Sequence, residues 1–246
     1  MIKDPKERFS GLARGYSRFR PGYPPQLVDW IVEQARLRPG SRMADIGCGT
    51  GISTRLFLAR GFDAVGVDPN EDMLSEARRG SGSFFKGDSS ATGLRDSLFD
   101  LVIAAQAFHW FPLDPALAEF SRILRPEGCC CAFWNIRETT PLLEEYEGLL
   151  RHYSAEYKDI PKPDSVLALL RSHAGIKEYN EARFGHIQTM NRDEFFGRVY
   201  SSSFVALGVA KKPDFDRELA ALFERHQSQG RVSFHYRVLA ALWRPA

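Results

Sequence analysis

The first half of the chain alternates short apolar runs with stretches of helical periodicity. Leu27, Trp30, Ile31 and Ala35 fall at helical spacing behind Pro24 and Pro25, and Pro39-Gly40 closes that helix. A strand is expected at 42–46. Three alternate glycines follow, Gly47, Gly49 and Gly51, then a helix with Ile52, Leu56 and Ala59 on one face. Ala64-Val65-Gly66-Val67 reads as a second buried strand ending in Asp68. Glu71 to Arg79 is a helix with acids in its first turn and arginines in its last, matching the helix dipole. Ser83 to Gly87 is a short third strand ending at Asp88, and Phe99 to Ala105 a fourth, apolar except for Asp100. Asp114 and Pro115 read as cap and first residue of a helix whose apolar face is Leu117, Phe120 and Leu124. Arg125-Pro126-Glu127-Gly128 ends it, and Cys129 to Trp134 is a fifth strand.

Five strand–helix alternations predict a parallel sheet covered on both faces, with ligands at the carboxyl ends of the strands. Gly47–Gly51, Asp68, Asp88 and Gln106–Trp110 all follow strand ends, so they converge on one edge. After Asn135 the rhythm changes. Residues 141–173 look helical, with a break at Ile160-Pro161-Lys162-Pro163. Arg183 to Met190 alternates like a strand, Arg192 to Leu207 and Asp214 to Gln227 read as helices, and Val232 to Trp243 alternates again. The last two strands are expected to pair antiparallel and complete the sheet. The chain is read as one domain: a cap segment at 1–39, a core at 40–135, a helical lid at 136–180 and a sheet-completing part at 181–246.

The glycine turn narrows the ligand. A dinucleotide fingerprint needs glycine at the first, third and sixth positions, and the sixth is Ile52; a phosphate-cradling P-loop needs a Gly-Lys-Ser/Thr ending, which is missing. What remains is an acid, Asp45, ahead of alternate glycines. A carboxylate there repels a pyrophosphate and suits a cation. S-adenosylmethionine carries a sulfonium and an ammonium and no phosphate, so it fits better than a nicotinamide dinucleotide. Asp68 stands about 20 residues beyond the turn, where doubly wound nucleotide folds place a ribose-binding acid.

Length and composition are those of a globular domain: 246 residues, 43% hydrophobic and 26% charged, with a formal net charge of +2 that gives no pull toward nucleic acid or anionic membrane. No apolar run approaches the roughly 20 residues a membrane helix needs, and Met1 to Arg8 has no signal-peptide core; a cytoplasmic protein is expected. Cys129, Cys130 and Cys131 are consecutive on a strand and point to opposite faces, so they do not jointly wrap a metal. With Cys48 they read as buried reduced thiols, and no metal is expected.

The ordered set Ala44-Asp45-Ile46-Gly47-Cys48-Gly49-Thr50-Gly51, Val65-Gly66-Val67-Asp68-Pro69 with Met73-Leu74, Gly87-Asp88, Gln106-Ala107-Phe108-His109-Trp110-Phe111 and Leu124-Arg125-Pro126-Glu127-Gly128 resembles class I S-adenosylmethionine-dependent methyltransferases of the small-molecule "type 11" group. Tyr16-Ser17-Arg18-Phe19-Arg20-Pro21-Gly22-Tyr23-Pro24 adds a likeness to the branch of trans-aconitate methyltransferase-like proteins. The resemblance covers residues 10–135. It implies an α/β, Rossmann-like, doubly wound seven-stranded sheet with a C-terminal antiparallel pair and a helical lid. It also implies that the backbone of Gly47, Cys48, Gly49 and Thr50 contacts the methionine part of the cofactor, with Asp45 at its amino-acid end or bracing the turn. Asp68 takes the ribose hydroxyls, Pro69 and Met73 flank the adenine, Asp88 and Ser89 meet its exocyclic amine, Gln106 and Ala107 pass the sulfonium, and Tyr16 and Arg20 close over it.

The acceptor is expected to be a small molecule, with a carboxylate as one candidate. Methyl transfer needs a general base only for an acceptor that arrives protonated, and His109 is the candidate; it reads also as lining the acceptor pocket with Trp110, or as a packed structural residue. A carboxylate needs a cation instead, for which Arg20 and Arg137 stand nearest in sequence. Tyr146, His152, Tyr153 and Tyr157 lie on the lid and receive no roles. A carrier-bound or macromolecular acceptor and a non-catalytic cofactor-binding module are the alternatives.

Overall fold

The expected strands are all present in a computed structural model, which describes residues 11–159 and 163–246. The first ten residues, including Phe9, and the break at 160–162 lie outside the described residues. One sheet of seven strands has the order β3-β2-β1-β4-β5-β7-β6. Its parallel part is β1 (Arg42–Ile46), β2 (Asp63–Asp68), β3 (Ser83–Lys86), β4 (Phe99–Ala105) and β5 (Leu124–Arg137). β6 (Ile176–Met190) and β7 (Val232–Pro245) form the antiparallel part. By packing, the chain divides into two compact units.

The larger unit comprises 22–135, 161–184 and 238–246. Around the sheet it carries α2 (Pro25–Gln34), α3 (Ile52–Leu58), α4 (Glu71–Ala77), α5 (Leu113–Ile123) and α7 (Pro163–Ser172). Its core joins Leu27 and Ile31 to Met43, Phe57, Leu101, Ile103, Phe133, Val238 and Leu242. Asp100, the one polar residue of β4, sits where acceptors are needed: it takes the Arg42 backbone N–H and an Arg125 N–H, each at 2.7 Å. All four cysteines are buried and free, and burial pushes each thiol above its ordinary pKa.

The smaller unit comprises residues up to Pro21 with 136–160 and 185–237. It contains α1 (Ala13–Phe19), α6 (Pro141–Tyr153), α8 (Arg192–Tyr200), α9 (Ser203–Ala206) and α10 (Lys212–His226), and the ends of β5, β6 and β7. Leu142, Tyr146 and Leu150 from α6 pack with Phe195, Val199, Phe215, Leu219, Leu222, Phe234 and Tyr236. A reciprocal cap starts α8, where Asn191 accepts from the Glu194 N–H and the Glu194 carboxylate accepts from the Asn191 N–H. A Cβ on Gly197 would lie 2.5 Å from the Phe19 ring, so α1 meets α8 where only glycine fits.

The structure departs from the sequence reading in several places. On α3 it is Ser53, Thr54 and Phe57 that are buried, while Ala59 is exposed. α5 starts at Leu113, and Asp114 makes no side-chain cap. Its buried face is Ala116, Glu119, Phe120 and Ile123; Leu124 already belongs to β5, as do Arg125 to Gly128. β6 begins at Ile176 rather than Arg183. Of the described residues in the region expected as one lid, 136–159 go to the smaller unit and 163–180 to the larger. Helix α1 was not expected from the apolar pattern.

Candidate cofactor site

The site of the larger unit starts at the end of β1. Gly47, Gly49 and Gly51 all have positive φ, at 71°, 55° and 78°. Gly47 is obligatory on a second count, because a Cβ there would sit 2.6 Å from that of Ala107. The turn is pinned to β2: Gly47 and Cys48 donate to the Val67 carbonyl at 2.8 and 3.1 Å, and Gly49 donates to Asp68 Oδ2 at 2.8 Å. Gly51 donates back to the Cys48 carbonyl at 2.9 Å. These four N–H groups are spent inside the fold. The turn therefore offers few donors to an anion, and the space above Gly49 is open, with no atom within 4 Å of a Cβ built there.

Asp45 is fully buried. Its Oδ2 accepts from Ser53 Oγ at 2.6 Å and Thr54 Oγ1 at 2.7 Å, which is why α3 turns two hydroxyls inward. Its Oδ1 is buried without a partner, and so is Thr50 Oγ1. An unpaired buried carboxylate oxygen is costly. Burial raises the Asp45 pKa to about 6 against the opposing bonds from Ser53 and Thr54, with the Asp68 charge adding to the rise. A hydrogen-bond donor is the partner this oxygen lacks, and a cationic one would also offset its charge.

Asp68 ends β2 and is also nearly buried, with its pKa raised by burial against backbone bonds from Asn70 and Gly49. Its Oδ1 takes the Asn70 N–H at 2.8 Å. A carboxylate has about four lone-pair sites, so two stay available for a diol. Asn70 was missed in the sequence, although it holds Asp68 and caps α4 by accepting the Met73 N–H at 3.1 Å. Pro69 is half-buried and Met73 buried beside them. Cys48 contributes only backbone, since its side chain packs with Leu74, Ala77 and Phe84, and a Cβ on Gly66 would meet its Sγ at 2.7 Å.

Beyond β3, Asp88 Oδ1 accepts from Ser90 N and Oγ and from Ala91 N, at 2.8 to 3.1 Å, so this oxygen builds the turn; Ser89 is buried. Beyond β4, Gln106 holds a φ of +57°, a conformation that costs a non-glycine residue and gathers at functional sites. Its N–H donates to the Phe133 carbonyl at 2.9 Å, and Ala107 follows against Gly47. Because β3, β2, β1 and β4 are neighbours, the expected residues from Asp45 to Trp110 do gather at one edge of the sheet.

His109 lies in a single 3-10 turn, half-buried, its ring 4.8 Å from that of Trp110. Trp134 Nε1 donates to His109 Nδ1 at 3.0 Å. The indole has only a donor, so the remaining proton of a neutral imidazole sits on Nε2. Burial lowers the His109 pKa to about 4. At neutral pH Nε2 is then a donor, an arrangement suited to lining an acceptor pocket.

Tyr16, Arg20 and Arg137 belong to the smaller unit. The Arg20 guanidinium lies 4.6 Å over the Tyr16 ring and donates to the Ser201 carbonyl at 3.2 Å. Arg137 donates to Tyr157 Oη at 2.9 Å and pairs with Glu147 at 3.3 Å, so it is partly neutralised already.

No helix of the described residues is long and apolar enough to cross a membrane. A methyltransferase domain model matches residues 44–132. An uncharacterised methyltransferase of Mycobacterium tuberculosis strain H37Rv is 36% identical over 138 residues, 55% of each chain; the match thus spans about half the length of that relative. The ubiquinone biosynthesis O-methyltransferase of Hahella chejuensis is 32% identical over 188 residues, 68% of this chain and 78% of that one. Among solved structures, a candidate type II methyltransferase from Anaeromyxobacter dehalogenans is 26% identical with a TM-score of 0.67, covering 92% of this chain and 97% of that one. By these likenesses the chain belongs to the class I S-adenosylmethionine-dependent methyltransferases.

Proposed function

We propose that this protein transfers a methyl group from S-adenosylmethionine to an oxygen of a small-molecule acceptor, and that this oxygen belongs to a carboxylate. The observation that carries the cofactor part is the orphaned Asp45 Oδ1 beside a turn whose N–H groups are already used. Bound there, the cofactor supplies an electrophilic methyl on a sulfonium, displaced in line with the C–S electron pair passing to sulfur. Asp45 and the glycine turn would hold its ammonium end. The free lone pairs of Asp68 would take the ribose hydroxyls, Pro69, Met73, Asp88 and Ser89 would bound the adenine, and Gln106 and Ala107 would line the methyl.

The acceptor part rests on His109. Its one lone-pair nitrogen, Nδ1, is occupied by the Trp134 N–H, so the neutral ring presents a donor to the acceptor. It donates from Nε2 and so orients an acceptor oxygen, with Trp110 alongside. An acceptor that arrives ionised needs no base, and a carboxylate meets that condition. The likeness of 16–24 to trans-aconitate methyltransferase-like proteins points the same way, and the Hahella relative is named for O-methylation. The cytoplasm is the expected location; neither nucleic acid nor membrane is expected as a partner.

The experiment is transfer of labelled methyl to panels of acids, phenols and amines. Acids should gain label as methyl esters that hydrolyse in mild alkali. Label confined to amines or phenols would overturn the carboxylate reading, and label on no acceptor despite cofactor binding would favour a binding module.

A further inference from the structure

Among the described residues of the smaller unit, Arg20 and Arg198 lack a carboxylate partner and Arg137 shares its own. Arg198, on α8, is 4% exposed; its Nε donates to Tyr236 Oη at 3.2 Å and its Nη1 to Ser202 Oγ at 3.1 Å. Arg20 donates to the Ser201 carbonyl, and its Nε is buried with no acceptor. Neither has a carboxylate partner among the described residues. Arg137 lies 5.4 Å over the Tyr146 ring, and its acid, Glu147, also reaches Arg151 at 3.7 Å. Tyr146 is fully buried on α6, and its hydroxyl has no partner.

These groups form one cluster. The Tyr146 ring is 5.4 Å from Phe234, over which Arg198 sits at 6.0 Å. Tyr236 Oη donates to Gln188, whose amide donates to the Phe19 carbonyl next to Arg20. The Tyr146 hydroxyl lies in the field of Arg137, Arg198 and Arg20 together. Burial, with Arg198 adding repulsion, lowers the Arg20 pKa to about 10. Buried guanidinium groups without counter-charge are costly, and so is an unsatisfied hydroxyl among them. Packing alone would favour apolar residues here.

We propose that Arg20, Arg198 and Tyr146 form an anion site that holds the carboxylate of a small-molecule ligand, with Arg137 adding positive field. Two donors stand free, the Arg20 Nε–H and the Tyr146 O–H, and two suit the paired oxygens of a carboxylate better than the larger oxygen set of a sulfate or phosphate. The site does not rest on the methyltransferase reading.

The test is calorimetric titration of the full chain, with and without S-adenosylhomocysteine, using benzoate, succinate and tricarballylate, their neutral amides, and inorganic sulfate. At least one carboxylate should bind, its amide should not, and sulfate should bind more weakly. Tyr146→Phe removes one hydroxyl from a buried position without changing shape, so folding is kept. It should weaken the carboxylate about tenfold, the scale of one hydrogen bond to a charge, and leave S-adenosylhomocysteine affinity unchanged. Arg198→Lys, which keeps charge but loses the planar fork, should weaken it as well. Absence of carboxylate binding, equal binding of amide or sulfate, or unchanged affinity in Tyr146→Phe would overturn the proposal. Failure of S-adenosylhomocysteine to bind while a carboxylate still does would strike the methyltransferase reading and leave the anion site standing.

Discussion

Replacing Asp45 by Asn tests whether the glycine turn is built for a cation. In the ligand-free chain Asp45 is fully buried with one orphaned oxygen, and its pKa stands at about 6 against an ordinary 3.8. The folded state thus holds more protons at this group than the unfolded state between roughly pH 4 and 6. That contribution to stability is present at the acid end and is lost as pH rises through about 6. Integrated from about pH 5 to pH 8, the loss is about 1.4 kcal/mol. Asp45→Asn still accepts from Ser53 and Thr54 but carries no charge. The stability of the native chain minus that of the variant should therefore fall by about 1.4 kcal/mol between those two pH values. Urea unfolding of both proteins at each pH gives the difference directly, and the comparison cancels every other titrating group. The cofactor should show the reverse. Affinity of the native chain for S-adenosylmethionine should rise with pH through 6, and the variant should bind weakly at every pH. A stability difference that is independent of pH, or one that grows with pH, would refute the reasoning.

Other outcomes follow from the same geometry. Asp68→Ala removes the acceptor of the Gly49 and Asn70 N–H groups and the ribose partner, so cofactor affinity should drop at least tenfold in a binding titration; unchanged affinity would sink the ribose assignment. Gly47→Ala meets Ala107 as well as an unfavourable backbone and should cost more in thermal unfolding than Gly49→Ala, which has open space; equal costs would contradict the packing at Gly47. The rate of methyl transfer should show no inflection from His109 between pH 6 and 8, because its pKa is near 4, and an inflection abolished in His109→Gln would make it a base.

The sheet and its ligand edge were legible because they depend on local signals. Apolar runs, strand-end acids and alternate glycines sit within a few residues of each other, and β1 to β5 emerged where expected. The α3 face was misread for a physical reason: Ser53 and Thr54 are buried to serve Asp45, so polarity there reports the site and not exposure. The start of β6 was hidden because Lys177 and Glu178 sit on an outer strand, where charge is tolerated on the water-facing positions. Helix α1 buries only Ala13 as a whole residue and is fixed by the distant Gly197, which no local period reveals.

The candidate site was legible as a list of residues but not as chemistry. The partner of His109 Nδ1 is Trp134, remote in sequence, which no local pattern reveals. Asn70 was invisible because its job is to hold Asp68. Arg198 and Tyr146 look like ordinary helix residues, and their meaning appears only when α6 and α8 bring them beside Arg20. The positive φ of Gln106 has no sequence signature, since glutamine rarely adopts it.

The most direct test of the central claim is calorimetric titration of the full chain with S-adenosylmethionine, S-adenosylhomocysteine and NAD. The account predicts that the first two bind, that Asp45→Asn weakens the positively charged ligand, and that NAD gives no heat. Binding of NAD with none of S-adenosylmethionine would contradict it.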